Sequence, residues 1–365
     1  MKSERKNERI LVYGMTDNPG GIETYLLSIA ERLINYGINF DYVTDFKTIA
    51  YEEKIKSMGS KVFFISAKSN SLIRQWRELY YIIKKHPEYH TFYVNAVDAG
   101  AALTCLIPFF LRKKVVFHSH NDFTEKMRLH RICRPLLKIV CEQFVACSYQ
   151  AGRYMFGKNR KNIFIMPNAI DFTSFVFDEK KRRQKRKELH LNGKKVVCHV
   201  GRLSLSKNPF RLVDIFDELS KKEPNVILLS VGTGDLDREV KSYAAKKSSA
   251  EKIQFLGRRT DVAEILMASD VFVMPSLYEG FGIAALEAEA SGIACVLSDC
   301  IPKEVNINET AQFVSLDEPN SEWVNALLSG IRMPRKRDTT AIDQSMFNAR
   351  NISQYDEKLA KILRS

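Results

Sequence analysis

The sequence predicts an α/β protein of two domains, each built on a doubly wound parallel sheet. Short apolar runs alternate with helical segments along all 365 residues, the pattern of parallel sheets covered by helices. The pattern restarts near Lys195, after the charge-dense stretch of residues 178–190, which we interpret as a solvated connector. The chain is also long for a single hydrophobic core, so we expect two domains.

The composition is that of a globular protein in a reducing compartment. Apolar residues make up 45% of the chain, and no stretch approaches the roughly 20 apolar residues of a membrane-spanning helix. The charged N-terminus leads directly into a strand, without the apolar region of a signal peptide. Seven cysteines without a C-x-x-C pair argue against a disulfide framework. We therefore expect a cytoplasmic protein.

Nearly all of the net charge of +13 lies in the first half of the chain. Residues 1–170 hold 26 Lys and Arg against 15 Asp and Glu, a net of +11, whereas residues 171–365 hold 30 against 28, a net of +2. A basic half predicts an anionic partner, which could be membrane lipid, a diphosphate-linked acceptor or nucleic acid. A generally basic proteome would explain the same excess.

The first half begins with a strand, a glycine loop and a helix. Arg9–Tyr13 is the strand, and apolar residues at helical spacing predict a helix from Ile22 to Tyr36. The paired Gly20 and Gly21 before it let the backbone come close to a ligand. This favours a phosphate-type site, although a plain turn would also use two glycines. The dinucleotide fingerprint G-x-G-x-x-G is absent.

Two histidines end a later strand, where α/β enzymes place ligands. Val115–His118 is that strand, and alternation puts His118 and His120 on one face. Asp122 is the nearest third metal ligand, but the spacing fits no standard zinc pattern. The remaining interpretations are a ligand-binding pair and an ordinary pair of strand-end histidines. Other strands of this half are predicted at residues 40–44, 61–65, 89–95, 144–148 and 163–166, and a helix at residues 71–85.

Residues 125–144 combine basic and apolar side chains. Four cations, Arg128, Arg131, Arg134 and Lys138, are interleaved with apolar residues that include Leu136, Leu137 and Ile139. The pattern predicts either an amphipathic helix on an anionic membrane surface or a helix packed on its own sheet with solvated charges. Pro135 interrupts the ideal pattern in both cases.

The second half opens with a strand, Lys195–Val200, and a loop that carries two cations. Arg202 and Lys207 lie five residues apart before a helix that begins near Pro209. An arginine can bind two phosphate oxygens and a lysine adds a point charge, so the pair suits a diphosphate.

Two further strands of this half end in glycine. Val226–Val231 is followed by Gly232, and Ile253–Leu256 by a loop with Arg258. The acids of the Asp235–Asp237 run open a helix, so we interpret them as capping residues and not as a metal site.

A third βα loop carries two acids around a glycine turn. Val271–Met274 is the strand, and Ala, Leu and Glu predict a helix from Ile283 to Ala290. Glu279 precedes Gly280, Phe281 and Gly282, and Glu287 lies two turns into the helix, with seven residues between the acids. The unpaired N–H groups of a helix start favour phosphate.

This last segment resembles the E-x7-E signature of family 4 glycosyltransferases, which are retaining sugar transferases with the GT-B fold. Three more elements are similar to that family and follow its order: G-G-x-E at residues 20–23, P-N-x-I-D at residues 167–171, where Ala169 replaces the usual Gly, and G-R-x4-K at residues 201–207. The resemblance covers nearly the whole chain and is closest to bacterial capsule and exopolysaccharide transferases.

The resemblance implies a GT-B architecture of two Rossmann-like domains facing across a cleft. Residues 1–172 would bind the acceptor, residues 173–344 the donor, and a C-terminal helix within residues 345–365 would cross back to the first domain. It also implies a hexosyl transfer from a nucleotide-diphosphate sugar, UDP-linked in preference to GDP-linked, to a glycan or lipid-linked acceptor. No cofactor and no metal would be needed, and no nucleic acid would be bound.

The resemblance also implies roles for the candidate residues. Arg202, Lys207 and the helix start at Gly280–Gly282 would neutralise the leaving diphosphate, with Gly20 and Gly21 beside it. Glu279 would hold sugar hydroxyls and Glu287 both ribose hydroxyls. His120, or alternatively His118, would lie at the reacting sugar. Gly232 and Arg258 would belong to the donor-binding loops.

Two other functions share some of these features. Sugar-nucleotide epimerases use the same two-domain architecture, and a basic non-catalytic binding protein would explain the charged first half. Neither a nucleic-acid-binding protein nor an inactive transferase needs both acids and both cations of the second half. We expect an enzyme in the cytoplasm, peripheral to the inner face of the membrane.

Overall fold

The computed structural model describes residues 7–18, 20–121, 124, 126–158 and 160–364, and it divides the chain into two compact units. Unit 1 comprises Met1–Asn168 with Ile352–Ser365, and unit 2 comprises Ala169–Asn351. From sequence, the corresponding boundaries are placed after residue 172 and before residue 345.

Unit 1 is built on a seven-stranded parallel sheet. Its strands are β1 (Glu8–Tyr13), β2 (Ile38–Thr44), β3 (Val62–Phe64), β4 (Thr91–Ala96), β5 (Lys114–Ser119), β6 (Gln143–Ala146) and β7 (Ile163–Ile165). The spatial order is β3-β2-β1-β4-β5-β6-β7, so the direction of winding reverses between β1 and β4. In doubly wound sheets, ligands bind at such a reversal.

The helices of unit 1 include most of those predicted by apolar spacing. They are α1 (Gly21–Leu33), α2 (Glu52–Ser57), α3 (Leu72–Lys85), α4 (Ala102–Phe110), α5 (Met127–Val140) and α6 (Tyr149–Phe156), with 3-10 turns at Ile34–Tyr36 and Ala99–Ala101. Ser71 caps α3, because its hydroxyl accepts a hydrogen bond from the Arg74 N–H at 3.3 Å. Apolar side chains of α3 to α6 and of the sheet share one core.

Unit 2 repeats the design with a six-stranded parallel sheet. Its strands are β8 (Lys195–Val200), β9 (Val226–Val231), β10 (Ile253–Gly257), β11 (Val271–Met274), β12 (Ala294–Ser298) and β13 (Ala311–Val314). The order β10-β9-β8-β11-β12-β13 reverses between β8 and β11. The predicted bounds of β8, β9 and β11 are confirmed, because each is a mostly apolar segment that is largely buried in the sheet.

Seven helices cover the sheet of unit 2. They are α7 (Glu179–Glu188), α8 (Pro209–Lys222), α9 (Asp237–Ala244), α10 (Val262–Ala268), α11 (Ile283–Ala290), α12 (Asn320–Arg332) and α13 (Thr340–Gln344). The 3-10 turns lie at Phe172–Ser174, Leu205–Lys207, Ala250–Lys252, Lys303–Val305 and Ala349–Asn351. The prediction for α11 is confirmed to the residue.

The interpretation of residues 178–190 as a solvated connector is wrong. Asp178 caps α7, and two of its cations bind the region where α10 ends and β11 begins. Arg182 donates to the Met267 and Ser269 carbonyls at 2.7 and 2.8 Å and to Asp270 at 2.6 Å. Lys185 pairs with Asp261 at 2.6 Å. These partners lie some 75 to 90 residues away in the chain, so the local charge density did not reveal them.

The C-terminal helix, α14 (Ser353–Leu363), belongs to unit 1 and packs against α1. The Arg32 Nε donates to Asp356 Oδ2 at 2.8 Å, and the Tyr36 hydroxyl donates to the Ser353 carbonyl at 3.1 Å. Leu359 and Leu363 are fully buried. The C-terminal helix therefore packs within unit 1.

Helix α5 corrects the apolar surface expected from sequence. Leu137 is only 1% exposed and lies in the core, and Leu136 packs partly against it. Ile132 and Ile139 are instead 75% and 63% exposed. The helix turns its inner face to the sheet, so only the outer apolar residues are available to a partner.

Candidate active site

Two loops of unit 2 meet at the point where the winding of its sheet reverses. One follows β8 and carries Lys207, and the other follows β11 and carries Glu279. The Lys207 ammonium forms an ion pair with the Glu279 carboxylate, which also accepts from the Ser276 hydroxyl at 2.9 Å. The Leu277 N–H donates to the Ser206 carbonyl at 2.8 Å and ties the two loops together. The structure thus brings together two predicted residues that are 72 positions apart.

The start of α11 is left without a side-chain cap. Gly282 precedes the helix with a φ of +91°, a conformation that suits glycine and turns the chain sharply into the helix. Gly282 has no side chain that could accept from the first N–H groups of this eight-residue helix. The Phe281 side chain is 4% exposed and packs against Phe347, with ring centroids 4.7 Å apart. Phe281 therefore offers a ligand its backbone and not its ring.

Glu287 and Glu289 lie on the same helix in different environments. No described residue donates a hydrogen bond to the Glu287 carboxylate, and burial raises its pKa to about 7. Glu289 is fully buried but accepts from the Asn308 N–H at 2.8 Å and the Thr310 hydroxyl at 2.6 Å. Glu289 therefore stabilises the fold through these hydrogen bonds. Glu287 is a half-buried carboxylate that is available to a ligand.

The two predicted arginines of unit 2 have exposed side chains. The Arg202 side chain makes no ion pair or hydrogen bond with any described residue. Arg258 is exposed as well, while its neighbour Arg259 pairs with Asp261 at 2.6 Å. Gly232 has a φ of +124°, and a Cβ there would lie 2.0 Å from the Gly201 carbonyl oxygen. Glycine at 232 thus lets the ends of β8 and β9 approach each other.

The glycine pair of unit 1 opens α1. Gly20 occupies the N-cap position of the helix but provides no side-chain cap, and Gly21 is the first helical residue. A Cβ on Gly21 would meet no atom within 4 Å, so the described protein leaves open space there. Glu23 is buried and accepts from the Thr16 N–H at 3.2 Å and from its hydroxyl at 2.8 Å. Glu23 therefore holds the loop in place.

The two histidines predicted for the site, His118 and His120, stack on each other in unit 1, with ring centroids 4.0 Å apart. His118 is fully buried and bonds the Tyr93 hydroxyl through Nδ1 at 2.6 Å, while its Nε2 has no partner among the described residues. His120 is 8% exposed and bonds the Asn95 side-chain oxygen through Nε2 at 2.9 Å. Burial lowers the pKa of His120 to about 3, so its ring is neutral at physiological pH. Asp122 lies outside the described residues.

Two family models match the chain. The model described as Glycosyltransferase Family 4 matches residues 19–174, and the model described as Glycosyl transferases group 1 matches residues 180–340. The chain belongs to the family 4 glycosyltransferases. The two parallel sheets of this glycosyltransferase are those of the GT-B fold, which confirms the fold class predicted from sequence.

Individual relatives agree with this assignment. The glycosyltransferase is 29% identical to the putative glycosyltransferase EpsF of Bacillus subtilis over 348 residues, which cover 90% of this chain and 88% of that one. It is 34% identical over 176 residues to the Escherichia coli UDP-Gal:alpha-D-GlcNAc-diphosphoundecaprenol alpha-1,3-galactosyltransferase, covering 46% and 44% of the two chains. The crystal structure of Anabaena Alr3699/HepE with UDP and glucose matches with a TM-score of 0.80 at 20% identity, covering 97% of this chain and 100% of that one.

Two residues that bind predicted site residues of the glycosyltransferase, one in each unit, escaped the sequence prediction. Ser276 orients Glu279, and Asn95 bonds His120. Both lie at or just after the end of a buried strand that the sequence predicts. This position at a strand end was the signal by which they could have been predicted as site residues. Within the described residues, no group of three His, Cys, Asp or Glu is arranged to hold a metal ion. No described helix is long and apolar enough to cross a membrane.

Proposed function

We propose that this glycosyltransferase moves a hexosyl unit, with retention of anomeric configuration, from a UDP-sugar to a hydroxyl of a glycan or lipid-linked acceptor. The observation that carries the proposal is the group at the meeting loops of unit 2. It consists of the Lys207–Glu279 pair together with Arg202 and Glu287, whose side chains have no ion-pair or hydrogen-bond partner among the described residues. Because these two side chains form no such pair or bond with the described protein, they are available to bind a sugar donor.

The charges of this group suit the departure of a nucleoside diphosphate. Arg202, Lys207 and the uncapped N–H groups of α11 would stabilise the negative charge that develops on the diphosphate. Glu279 would accept hydrogen bonds from the donor sugar, and Glu287 from the two ribose hydroxyls. Since the His120 ring is neutral, it would orient the reacting sugar through hydrogen bonds and would not act as a cationic acid.

The choice of UDP and of a lipid-linked or glycan acceptor rests on relatives. The Anabaena protein was solved with UDP and glucose, and the name of the Escherichia coli relative specifies UDP-Gal and a diphosphoundecaprenol-linked acceptor. A role in capsule or exopolysaccharide synthesis rests on the sequence resemblance. A thermal-shift panel of UDP- and GDP-sugars tests the donor, because a bound ligand raises the melting temperature. If no nucleotide-sugar and no free nucleoside diphosphate shifts it, the proposed donor site is wrong.

We expect transfer to proceed in the presence of a chelator, because Arg202, Lys207 and a helix start would take the place of a metal at the diphosphate. Release of UDP from the donor identified by the panel is measured with and without EDTA, and NMR of the glycoside product gives its anomeric configuration. Equal rates and a retained configuration support the mechanism. Activity that disappears in EDTA and returns with Mn²⁺ or Mg²⁺, or an inverted product, contradicts it.

The proposal also places the enzyme at an anionic membrane surface, through the outer face of α5 and the end of α4, which packs against it. Ile132, Ile139 and Phe110 are 75%, 63% and 72% exposed, and Arg131 and Lys138 are exposed beside them in the sequence of α5. Each basic residue near an anionic surface contributes about 1 kcal/mol. Shallow burial of the three apolar side chains would add to that attraction.

Vesicle sedimentation tests this surface. We expect the protein to sediment with anionic but not neutral vesicles, less so as salt rises, and to lose most binding when Arg128, Arg131, Arg134 and Lys138 become Gln. Ile132→Ser with Ile139→Ser should weaken binding at every salt concentration, because it removes the apolar term. The matched control changes four exposed cations of α7 to Gln: Lys180, Lys181, Arg183 and Lys187. Wild type that stays in the supernatant at low salt, or a control that binds as poorly as the α5 variant, contradicts the membrane proposal.

A further inference from the structure

A buried histidine lies next to the candidate donor site of unit 2. His199 is the last residue but one of β8, and its side chain is fully buried. Its Nδ1 bonds the Val273 carbonyl of the neighbouring strand β11 at 3.1 Å. A carbonyl oxygen only accepts, so Nδ1 carries the proton and Nε2 carries the lone pair of the neutral ring. The bond to β11 thus fixes both the orientation of the ring and its tautomer.

The other ring nitrogen of His199, Nε2, has no hydrogen-bond partner among the described residues. An acceptor that is buried without a partner lowers the stability of a protein, and an apolar residue could fill the same place without that cost. Such a group is explained when a ligand, a water or a moving side chain donates to it. The unused lone pair of His199 therefore points to a donor that comes close during function.

Gly201 brings this nitrogen and the Lys207 side chain to the same place. A Cβ at Gly201 would lie 3.2 Å from His199 Nε2 and 3.6 Å from Lys207 Cδ. Because residue 201 is glycine, it puts no side chain between the imidazole and the lysine. Burial lowers the pKa of His199 to about 4, and the Lys207 ammonium lowers it as well, so the ring is neutral at physiological pH. A neutral imidazole can accept from this ammonium without repelling it.

The hydrogen-bond capacity of Lys207 leaves room for this acceptor. A lysine ammonium has three N–H donors. The Glu279 carboxylate accepts one of them, and a diphosphate oxygen of the bound sugar donor would accept another. His199 Nε2 can accept the third from the side of β8. If Glu279 also accepts from the donor sugar, it restrains Lys207 less, and a second restraint becomes necessary.

We propose that His199 is a positioning residue for Lys207, whose ammonium it holds at the donor diphosphate by accepting a hydrogen bond through Nε2. The inference rests on the proposed function, in which Lys207 binds that diphosphate, and it extends the site to a buried residue of β8. His199 touches no substrate in this arrangement and acts only through the lysine.

Calorimetry with UDP tests the inference in the full-length protein, with uridine as the ligand that lacks the diphosphate. His199→Leu removes the acceptor and should weaken the binding of UDP about tenfold, the scale for one hydrogen bond to a charged group. Its affinity for uridine should equal that of wild type, because only the phosphate contact is lost. His199→Gln places an amide oxygen at a similar reach and should recover most of the affinity for UDP.

A double-mutant cycle measures whether the histidine acts through Lys207. In the Lys207→Ala background, His199→Leu should leave the affinity for UDP unchanged, because the group that it positions is gone. Ser230→Ala is the matched control. Ser230 lies beside His199 in the register of β8 and β9, and its buried hydroxyl also has no partner among the described residues. This control should bind UDP as the wild type does.

The contrary outcomes separate this inference from the proposed function. Wild-type affinity for UDP in His199→Leu, together with a loss in Lys207→Ala, contradicts the role of His199 alone. An equal loss from His199→Leu with and without Lys207, a matching loss for uridine, or no recovery in His199→Gln also contradicts it. If UDP does not bind wild type, or if Lys207→Ala binds UDP as tightly as wild type, the proposed diphosphate site is wrong and the inference is wrong with it.

Discussion

Arg202→Ala should lower kcat/KM by about a hundredfold or more while leaving the melting temperature unchanged. A decrease in kcat/KM of this size is typical when one preorganised group that stabilises transition-state charge is removed. The unchanged stability follows from the structure, because the exposed Arg202 side chain makes no hydrogen bond or ion pair with a described residue. The measurements are steady-state kinetics with the donor found by the nucleotide-sugar panel and a thermal unfolding scan.

Arg238→Ala is the matched control, since Arg238 is an exposed arginine of α9 without a partner among the described residues. It should keep both activity and stability. An Arg202→Ala enzyme as active as this control would remove Arg202 from the diphosphate site.

Lys207→Ala should lower activity to a similar extent, with an added loss of stability. Lys207 is the ion-pair partner of Glu279, whose side chain is only 10% exposed. Among the described residues, removal of Lys207 leaves that carboxylate with the Ser276 hydroxyl as its one partner. A buried charge that loses its partner destabilises the fold. The double variant Lys207→Met with Glu279→Gln should recover stability without recovering activity. If the double variant regains activity, the pair serves the fold and not the reaction.

Glu287→Gln should weaken the binding of UDP about ten- to a hundredfold and remove the part of its pH dependence that is centred near pH 7. In wild type the pKa of Glu287 is raised to about 7 by burial. Ribose hydroxyls donate to the ionised carboxylate, so protons compete with the nucleotide. Affinity should therefore rise as pH increases through 7 and level off above it. Calorimetry from pH 5.5 to 8.5 measures the profile, and an unchanged affinity in the variant, for UDP and UDP-sugar alike, would exclude the ribose role.

The same raised pKa has an opposite consequence for stability. The ordinary value for a glutamate is 4.5, and in the folded protein the pKa of Glu287 is about 7. The folded state therefore binds the proton more tightly than the unfolded state, and stability is lost as pH rises through 7. Glu287→Gln should raise the free energy of unfolding at pH 8 relative to wild type. Glu289→Gln is the contrast: the carboxylate oxygens accept from Asn308 and Thr310, and the amide keeps only one oxygen and puts a donor in place of the other. This variant should lower stability while leaving UDP binding unchanged.

The sequence by itself determined the fold class, most of the strands and the loops in which the candidate donor residues lie. Apolar runs such as Val271–Met274 are buried on both faces of a sheet, so their period and length are local signals. The glycine turn before α11 and the cation loop after β8 are likewise properties of short segments. They follow buried strands, which is why their place at a sheet end was predictable.

Only the tertiary structure decided which charged and polar side chains the fold itself uses. Glu287 and Glu289 are two residues apart and equally acidic, yet loops from residues 308–310 satisfy only Glu289. The cations of α7 find carbonyls and acids around residues 261–270, and Asp45 is oriented by Gln75 and Tyr13. Leu137 and Ile139 differ in burial because α5 turns one side to the sheet. In each case the residue that makes the contact is distant in the chain. The contribution of the side chain to the free energy of folding depends on that contact and not on the residue type.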